Sequence, residues 1–288
     1  MSESNDFIIE EEKITDTSIF ESRVRPILAE FMGSIILVSV VCVGAVNTES
    51  TTMNAVIYGF TMMFLIITFG EMSGGYFNPV ITLGYTLARV ISIPQAVCYF
   101  FAQIIGGIVG AALVRASSPN RKYIPEFNGY HSLWFYKMDE METQMTIMLS
   151  EAIPTFILVL TVLITTLDRK KRWLSPLAIG FSIIVCSYTG FTKWRGSTSM
   201  NPLLRFCPAV AFSGRDDSET LWKMHYVYWI GPIVGTLVAS LLYRFVFALG
   251  SKRIRIHRPC CQNQPYNSEG NYTNKTPDEF GNVGKNLP

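Results

Sequence analysis

The chain has 288 residues, of which 49% are hydrophobic and only 16% charged, with a formal net charge of +2. A soluble domain carries about 25% charge, so the composition points to a membrane protein, and the near-neutral balance gives no basis for nucleic-acid binding. The six cysteines show no metal or redox spacing, and no His/Cys/Asp cluster, Ser-His-Asp set or phosphate loop suggests an enzyme, a metal or a cofactor.

Residues 1–26 are polar and acidic, unlike a signal peptide, and read as a cytoplasmic tail. A bilayer-crossing helix needs about 20 apolar residues. Six stretches qualify: 27–46, 53–70, 94–113, 146–167, 174–190 and 222–249, the fifth being short. Lys and Arg favour the cytoplasmic side of short loops. "DRKKR" at Asp168 and "SKRIRIHR" at Ser251 therefore place both termini there, with an even number of crossings. The 115–145 loop then lies outside. Arg244, near the end of the sixth span, is expected to snorkel toward the interface. Residues 251–288 read as a second cytoplasmic tail. In it Cys260 and Cys261 suit palmitoylation, and the sequons at Asn271 and Asn274 would stay unused.

The intervening stretch, residues 27–250, repeats itself. Glu30 and Glu151 are each the one ionisable residue of their span; 48 positions separate Glu30 from Asn78 and 50 separate Glu151 from Asn201. "GGIVG" at Gly106 and "GPIVG" at Gly231 follow the two asparagines by 28 and 30 positions. Three landmarks in register define two halves, about 27–115 and 146–250. With three spans per half, the second copy is inserted upside down. In such inverted repeats the ligand path lies near the midplane between the halves.

Each half also carries an Asn-Pro pair in apolar surroundings, "SGGYFNPVITLG" and "STSMNPLLRFCPAV". Asn suits an N-cap and Pro the first helical position. Segments 79–87 and 202–212 are too short to span, so each is expected to be a re-entrant half-helix starting inside the membrane. Inversion brings the two N-termini together, creating a local positive potential that repels cations. The expected fold is thus all-α, with six transmembrane helices plus two re-entrant half-helices in an inverted repeat. The Asn78 and Asn201 amides can donate to a passing oxygen. Carbonyls of Gly74, Gly75, Tyr76, Gly196, Ser197 and Thr198 can accept from it. Glu30 and Glu151, costly in lipid, should face inward and accept backbone N–H groups of their own re-entrant loops.

On these residues the chain resembles the major intrinsic protein family, the aquaporins and aquaglyceroporins. "SGGYFNPVITLG" is similar to the family box S-G-A-H-L-N-P-A-V-T, and the resemblance runs from about residue 27 to 250. It implies a pore in each subunit, a homotetramer in the lipid bilayer and passive passage of water or small neutral solutes. The pore boxes would be Asn78, Pro79, Val80 and Asn201, Pro202, Leu203, with Val80 and Leu203 in place of the usual Ala. The selectivity constriction would comprise Tyr58, Ser187, Thr198 and Leu204. Ser187 stands at the usual His position and Leu204 at the usual Arg position. Arg205 is one residue late, and a one-residue step turns a side chain about 100°. A neutral, wider mouth favours glycerol or urea alongside water, with the plasma membrane the expected residence. The alternatives are a solute channel with poor water flow, or a pore-closed structural or adhesion protein.

Overall fold

The computed structural model describes residues 19–48, 50–117, 140–168, 170–189, 198–213, 222 and 225–248. The expectations for both tails beyond these, for the 115–145 loop past Ser117 and before Glu140, and for Gly196 and Ser197 lie outside the described residues. Within them, all regular structure is helical. The α-helices are α1 (Arg25–Asn47), α2 (Thr51–Ser73), α3 (Pro79–Leu87), α4 (Ile93–Ser117), α5 (Glu140–Leu167), α6 (Ser175–Thr189), α7 (Leu203–Phe212) and α8 (Val227–Leu242). A wider turn, Phe20–Val24, leads into α1, and another, Tyr243–Phe247, extends α8.

Local chemistry sets the ends. The Ser50 side chain accepts from Met53 N at the start of α2. Gly74, at φ 101°, closes that helix in the left-handed conformation. Inside the spans, Thr61, Thr68, Thr155, Thr161, Thr165 and Thr166 each return their hydroxyl to the carbonyl four residues back. These hydroxyls therefore need no partner from lipid.

Five helical segments are long and apolar enough to cross a membrane. Their outward residues are greasy: Ile67 and Ile93 are each 70% exposed. The sixth, α6, has 15 residues, about 22 Å of rise against a hydrocarbon core of about 30 Å. It follows a 3-10 turn, Arg172–Leu174, and packs against α2 and α5 as a span would.

The packing shows the repeat. Helix α1 lies against α4 as α5 lies against α8; α1 touches α2 as α5 touches α6; and α2 crosses α6 between the halves. The half-helices are exchanged, α7 packing on α4 and α3 on α8. A Cβ on Gly106 would stand 2.4 Å from the Phe31 carbonyl oxygen, and one on Gly235 would stand 2.2 Å from that of Ala152. Phe31 and Ala152 each follow their half's Glu by one residue. The spatial counterpart of Gly106 is therefore Gly235, one turn past the Gly231 that the "GGIVG/GPIVG" match pairs with it. Such close helix contacts through small residues are the usual solution in lipid, where burial of apolar surface drives nothing.

Gly106→Ala should therefore cost about 1–3 kcal/mol by overpacking. By contrast, Gly70→Ala, whose added Cβ would meet only Ile66 Cγ2 at 3.5 Å, should be neutral or stabilising by up to ~1 kcal/mol. Thermal unfolding of the two detergent-solubilised variants checks the contrast.

Candidate functional site

The two Asn-Pro pairs meet at the centre. Asn78 Oδ1 accepts from Val80 N at 3.0 Å, capping α3 at its first turn. Asn201 Oδ1 accepts from Leu203 N at 3.1 Å in the same way, and α7 begins at Leu203, one residue after Pro202. Each amide also reaches across the repeat. Asn78 Nδ2 donates to Met200 O at 2.9 Å, and Asn201 Nδ2 to Phe77 O at 3.0 Å. The carbonyls that join the halves thus belong to Phe77 and Met200, the residues before each Asn. One amide N–H per asparagine is used by this clasp.

Phe77 and Met200 both have positive φ, 46° and 51°. That region is uncommon for residues other than glycine and costs roughly 1–3 kcal/mol unless the surroundings hold it. Here both ends of each residue are held. The carbonyl accepts the opposite asparagine, and the N–H donates to a buried glutamate. Phe77 N reaches Glu30 Oε2 at 2.8 Å and Met200 N reaches Glu151 Oε2 at 2.9 Å. The preceding N–H groups, of Tyr76 and Ser199, donate to Oε1 of the same carboxylates at 3.0 and 2.9 Å.

The carboxylates differ in their remaining partners. Ser73 Oγ donates to Glu30 Oε1 at 2.5 Å and Gln103 Nε2 to Oε2 at 2.8 Å. Gln103 also donates to Thr82 Oγ1 at 2.9 Å. Glu151 instead takes the Ser199 hydroxyl on both oxygens, at 3.1 Å each. Gln103 escaped the sequence reading, although it is a buried amide three residues before Gly106 and one helix face from Glu30.

The residues expected at the outer constriction come from four elements. The Tyr58 phenol of α2 pairs with the Asn201 side chain. Ser187 Oγ of α6 lies 3.5 Å from Thr198 O. Thr198 and Leu204 are buried, and among the described residues the Thr198 hydroxyl has no hydrogen-bond partner. The Arg205 guanidinium lies 5.1 Å over the Tyr228 ring of α8. Val80, Pro79, Pro202 and Leu203 are buried in the half-helix starts.

Tyr76 stacks on Tyr85 with centroids 4.2 Å apart, and meets Tyr99 edge-on. Gly74 and Gly75 both have positive φ, and Gly74 could take no Cβ because the Tyr76 ring stands 2.5 Å from it. Tyr99 donates to Ser73 O and Tyr85 pairs with Thr166 of α5. This tyrosine cluster was not anticipated from sequence.

Two arginines finish the half-helices. Arg244 Nη1 donates to Leu87 O, the last residue of α3, at 3.4 Å. Arg115 Nη1 donates to Ala211 O near the end of α7 and covers the Phe212 ring. Cations thus sit at both C-terminal ends, where the helix dipole is negative, while the positive ends face each other at the centre. Arg244 is thereby tied to α3, beyond the snorkelling expected for it. The two arginines stand nine residues after Gly106 and Gly235, in the packing register given above.

A family model described as "MIP: Major intrinsic protein" matches residues 18–243. Aquaporin-8 of Mus musculus is 30% identical over 244 residues, covering 82% of this chain and 87% of its own. Aquaporin-4 of Homo sapiens is 30% identical over 239 residues, covering 77% of this chain and 67% of its own. Among solved structures, the aquaglyceroporin from Plasmodium falciparum aligns with a TM-score of 0.60 at 22% identity, covering 76% of this chain and 95% of that one.

Proposed function

Because the chain belongs to the major intrinsic protein family, it is an integral, multi-pass membrane channel for water or small solutes, and we propose that it passively conducts both water and small neutral solutes such as glycerol and urea. The carrying observation is the clasp of Asn78 and Asn201, and the stacking of the Arg205 guanidinium over Tyr228 supports the reading of a neutral mouth. After the clasp, Asn78 keeps one amide N–H for the path, the second N–H of Asn201 is turned to the Tyr58 phenol, and two opposed helix N-termini add positive potential. A permeating oxygen can be held there while cations are repelled and a continuous proton wire is broken.

The Thr198 hydroxyl and the carbonyls of Gly74, Gly75, Tyr76, Gly196, Ser197 and Thr198 would supply the polar side of the path. Tyr58, Ser187 and Leu204 would line a neutral constriction wide enough for a three-carbon polyol. The channel unit would span residues 27–250, both termini would be cytoplasmic, and four copies would assemble in the plasma membrane.

Reconstituted vesicles test the reading. Osmotic shrinkage in sucrose should be accelerated over empty vesicles, and re-swelling in glycerol and urea gradients should be accelerated too. No acceleration in any gradient overturns the channel; acceleration with sucrose alone overturns the solute half. Tyr58→Phe should release the second Asn201 N–H to the path. Water permeability per channel should then change by up to about fivefold, the worth of one neutral hydrogen bond of ~1 kcal/mol. Stopped-flow light scattering measures it.

A further inference from the structure

We propose that Tyr76 and Tyr85 form a second constriction of the path, in series with the one around Ser187, and that this second site sets the glycerol-to-water ratio. The inference deepens the transport reading above and rests on it.

Neighbouring side chains of the first re-entrant segment go different ways. Phe77 keeps its ring in its own half. It meets Phe69 of α2 edge-on at 6.1 Å and lies so close over α1 that a Cβ on Gly33 would stand 2.1 Å from it. Tyr76 instead lays its ring on Tyr85 of α3, with centroids 4.2 Å apart and planes within 13° of parallel. Tyr85 reaches the other half: its hydroxyl pairs with Thr166 of α5 at 2.6 Å. In an inverted repeat the path runs between the halves. The chain of groups from Tyr76 through Tyr85 to Thr166 therefore lies across its course.

The helix ends give the position along that course. Tyr85 stands seven residues after Asn78, two turns and about 10 Å along α3 on the same face. Thr166 is the next-to-last residue of α5, and after a short connection α6 begins at Ser175. Ser187 lies twelve residues into α6, about 18 Å from that end. Ser187 approaches the second re-entrant segment at Thr198, whereas Tyr76 belongs to the first. The tyrosines and Ser187 thus flank the clasp from opposite ends.

The ring pair is held in place. Tyr99 meets Tyr76 edge-on at 5.7 Å, donates to Ser73 O and accepts from Gln95 Nε2. Gly74, at φ 101°, leaves room for the Tyr76 ring where a Cβ would collide with it. Tyr85 and Tyr99 spend their hydroxyls on the protein. Among the described residues the Tyr76 hydroxyl has no such partner and can serve a permeant. Aromatic faces with few hydroxyls make a narrow, mostly apolar passage. Water slips past it. A three-carbon polyol must part the rings or break the bond between Tyr85 and Thr166. Barriers in series add, and with a neutral outer mouth the tyrosine site is the higher one for solutes.

Fluxes per channel in reconstituted vesicles test this, on variants first shown to be folded by size exclusion. Tyr76→Ala should raise glycerol permeability about tenfold and water permeability by no more than about twofold, so the ratio climbs. Tyr85→Phe keeps both rings and removes only the bond to Thr166. It should raise glycerol permeability by up to about fivefold. Side chains that merely pack would change the thermal midpoint and leave the ratio alone. Folded Tyr76→Ala with the wild-type ratio therefore overturns the proposal. Should Tyr76→Ala yield no folded protein, an unchanged ratio in Tyr85→Phe overturns it instead. Conduction with an unaltered ratio sinks the tyrosine site alone. Failure of every variant to conduct, wild type included, sinks the channel reading and this inference with it.

Discussion

Glu30→Ala should leave almost no folded channel. The Glu30 side chain is 0% exposed, and four donors converge on it, from Ser73, Tyr76, Phe77 and Gln103. Alanine orphans them within the protein interior. Each buried, unsatisfied donor costs about 1–3 kcal/mol, so losing even three acceptor contacts costs roughly 3–9 kcal/mol. Typical native stability is about 5–15 kcal/mol. The damage does not stop at the hydrogen bonds. Phe77, at φ 46°, is held at its N–H by Glu30 and at its carbonyl by Asn201. Once the first hold is gone, its strained backbone can relax and the carbonyl leaves Asn201. Glu30→Gln should also be severe, because its amide nitrogen would face donors. The expected result is at least a tenfold drop in monodisperse protein on size exclusion, with Glu30→Ala the worse. Wild-type yield and water permeability in Glu30→Ala would show that the carboxylate does not hold the loop.

Much of the fold was legible because its signals are local or periodic. Long uncharged runs mark spans, and Asn-Pro inside such a run can hardly be anything but a helix start. Hence α3 runs Pro79–Leu87, the segment expected from sequence. The matched order of Glu, Asn-Pro and glycine pairs was enough to call an inverted repeat. What sequence could not give is the relation between helices across space. The "GGIVG" and "GPIVG" strings align by eye at Gly106 and Gly231, yet the helices pack with Gly106 and Gly235 in matching places. A helix can slide by one turn and keep the same face inward, so sequence spacing alone leaves that register open. The same blindness hid Gln103, whose partner lies 73 positions away, and the arginines that cap the opposite half's short helix. The tyrosine cluster was missed for another reason. Tyr76, Tyr85 and Tyr99 sit on three different elements, and an aromatic in a membrane chain reads simply as apolar. The ends of the fifth span were the least legible, because "YTGFTKWRG" offers neither a clear apolar period nor a decisive helix-stop motif.

Converting the mouth to a charged one by Ser187→His with Leu204→Arg should suppress glycerol and urea flux at least tenfold while water permeability stays within about threefold. A tenfold change needs only ~1.4 kcal/mol at the barrier, which is modest for the loss of room and the added dehydration of a carbon backbone beside a fixed cation. Water, smaller and rich in hydrogen bonds, can replace its lost partners with the new donors. Ser187 Oγ lies only 3.5 Å from Thr198 O, so an imidazole at this site must displace that weak contact and project into the same space. Leu204 and Arg205 are successive residues on α7, about 100° apart around its axis. An arginine at 204 therefore diverges from Arg205, which stays on Tyr228. Stability decides between the two possible surroundings of Leu204, which is buried. If it faces the path, the double variant should keep a near-wild-type thermal midpoint and lose solute flux. If it faces packed protein, an unpaired arginine there should cost several kcal/mol and abolish the fold. A stable double variant with unchanged glycerol-to-water ratio would place the selective constriction at other residues, with the tyrosines around Tyr76 the next to be changed.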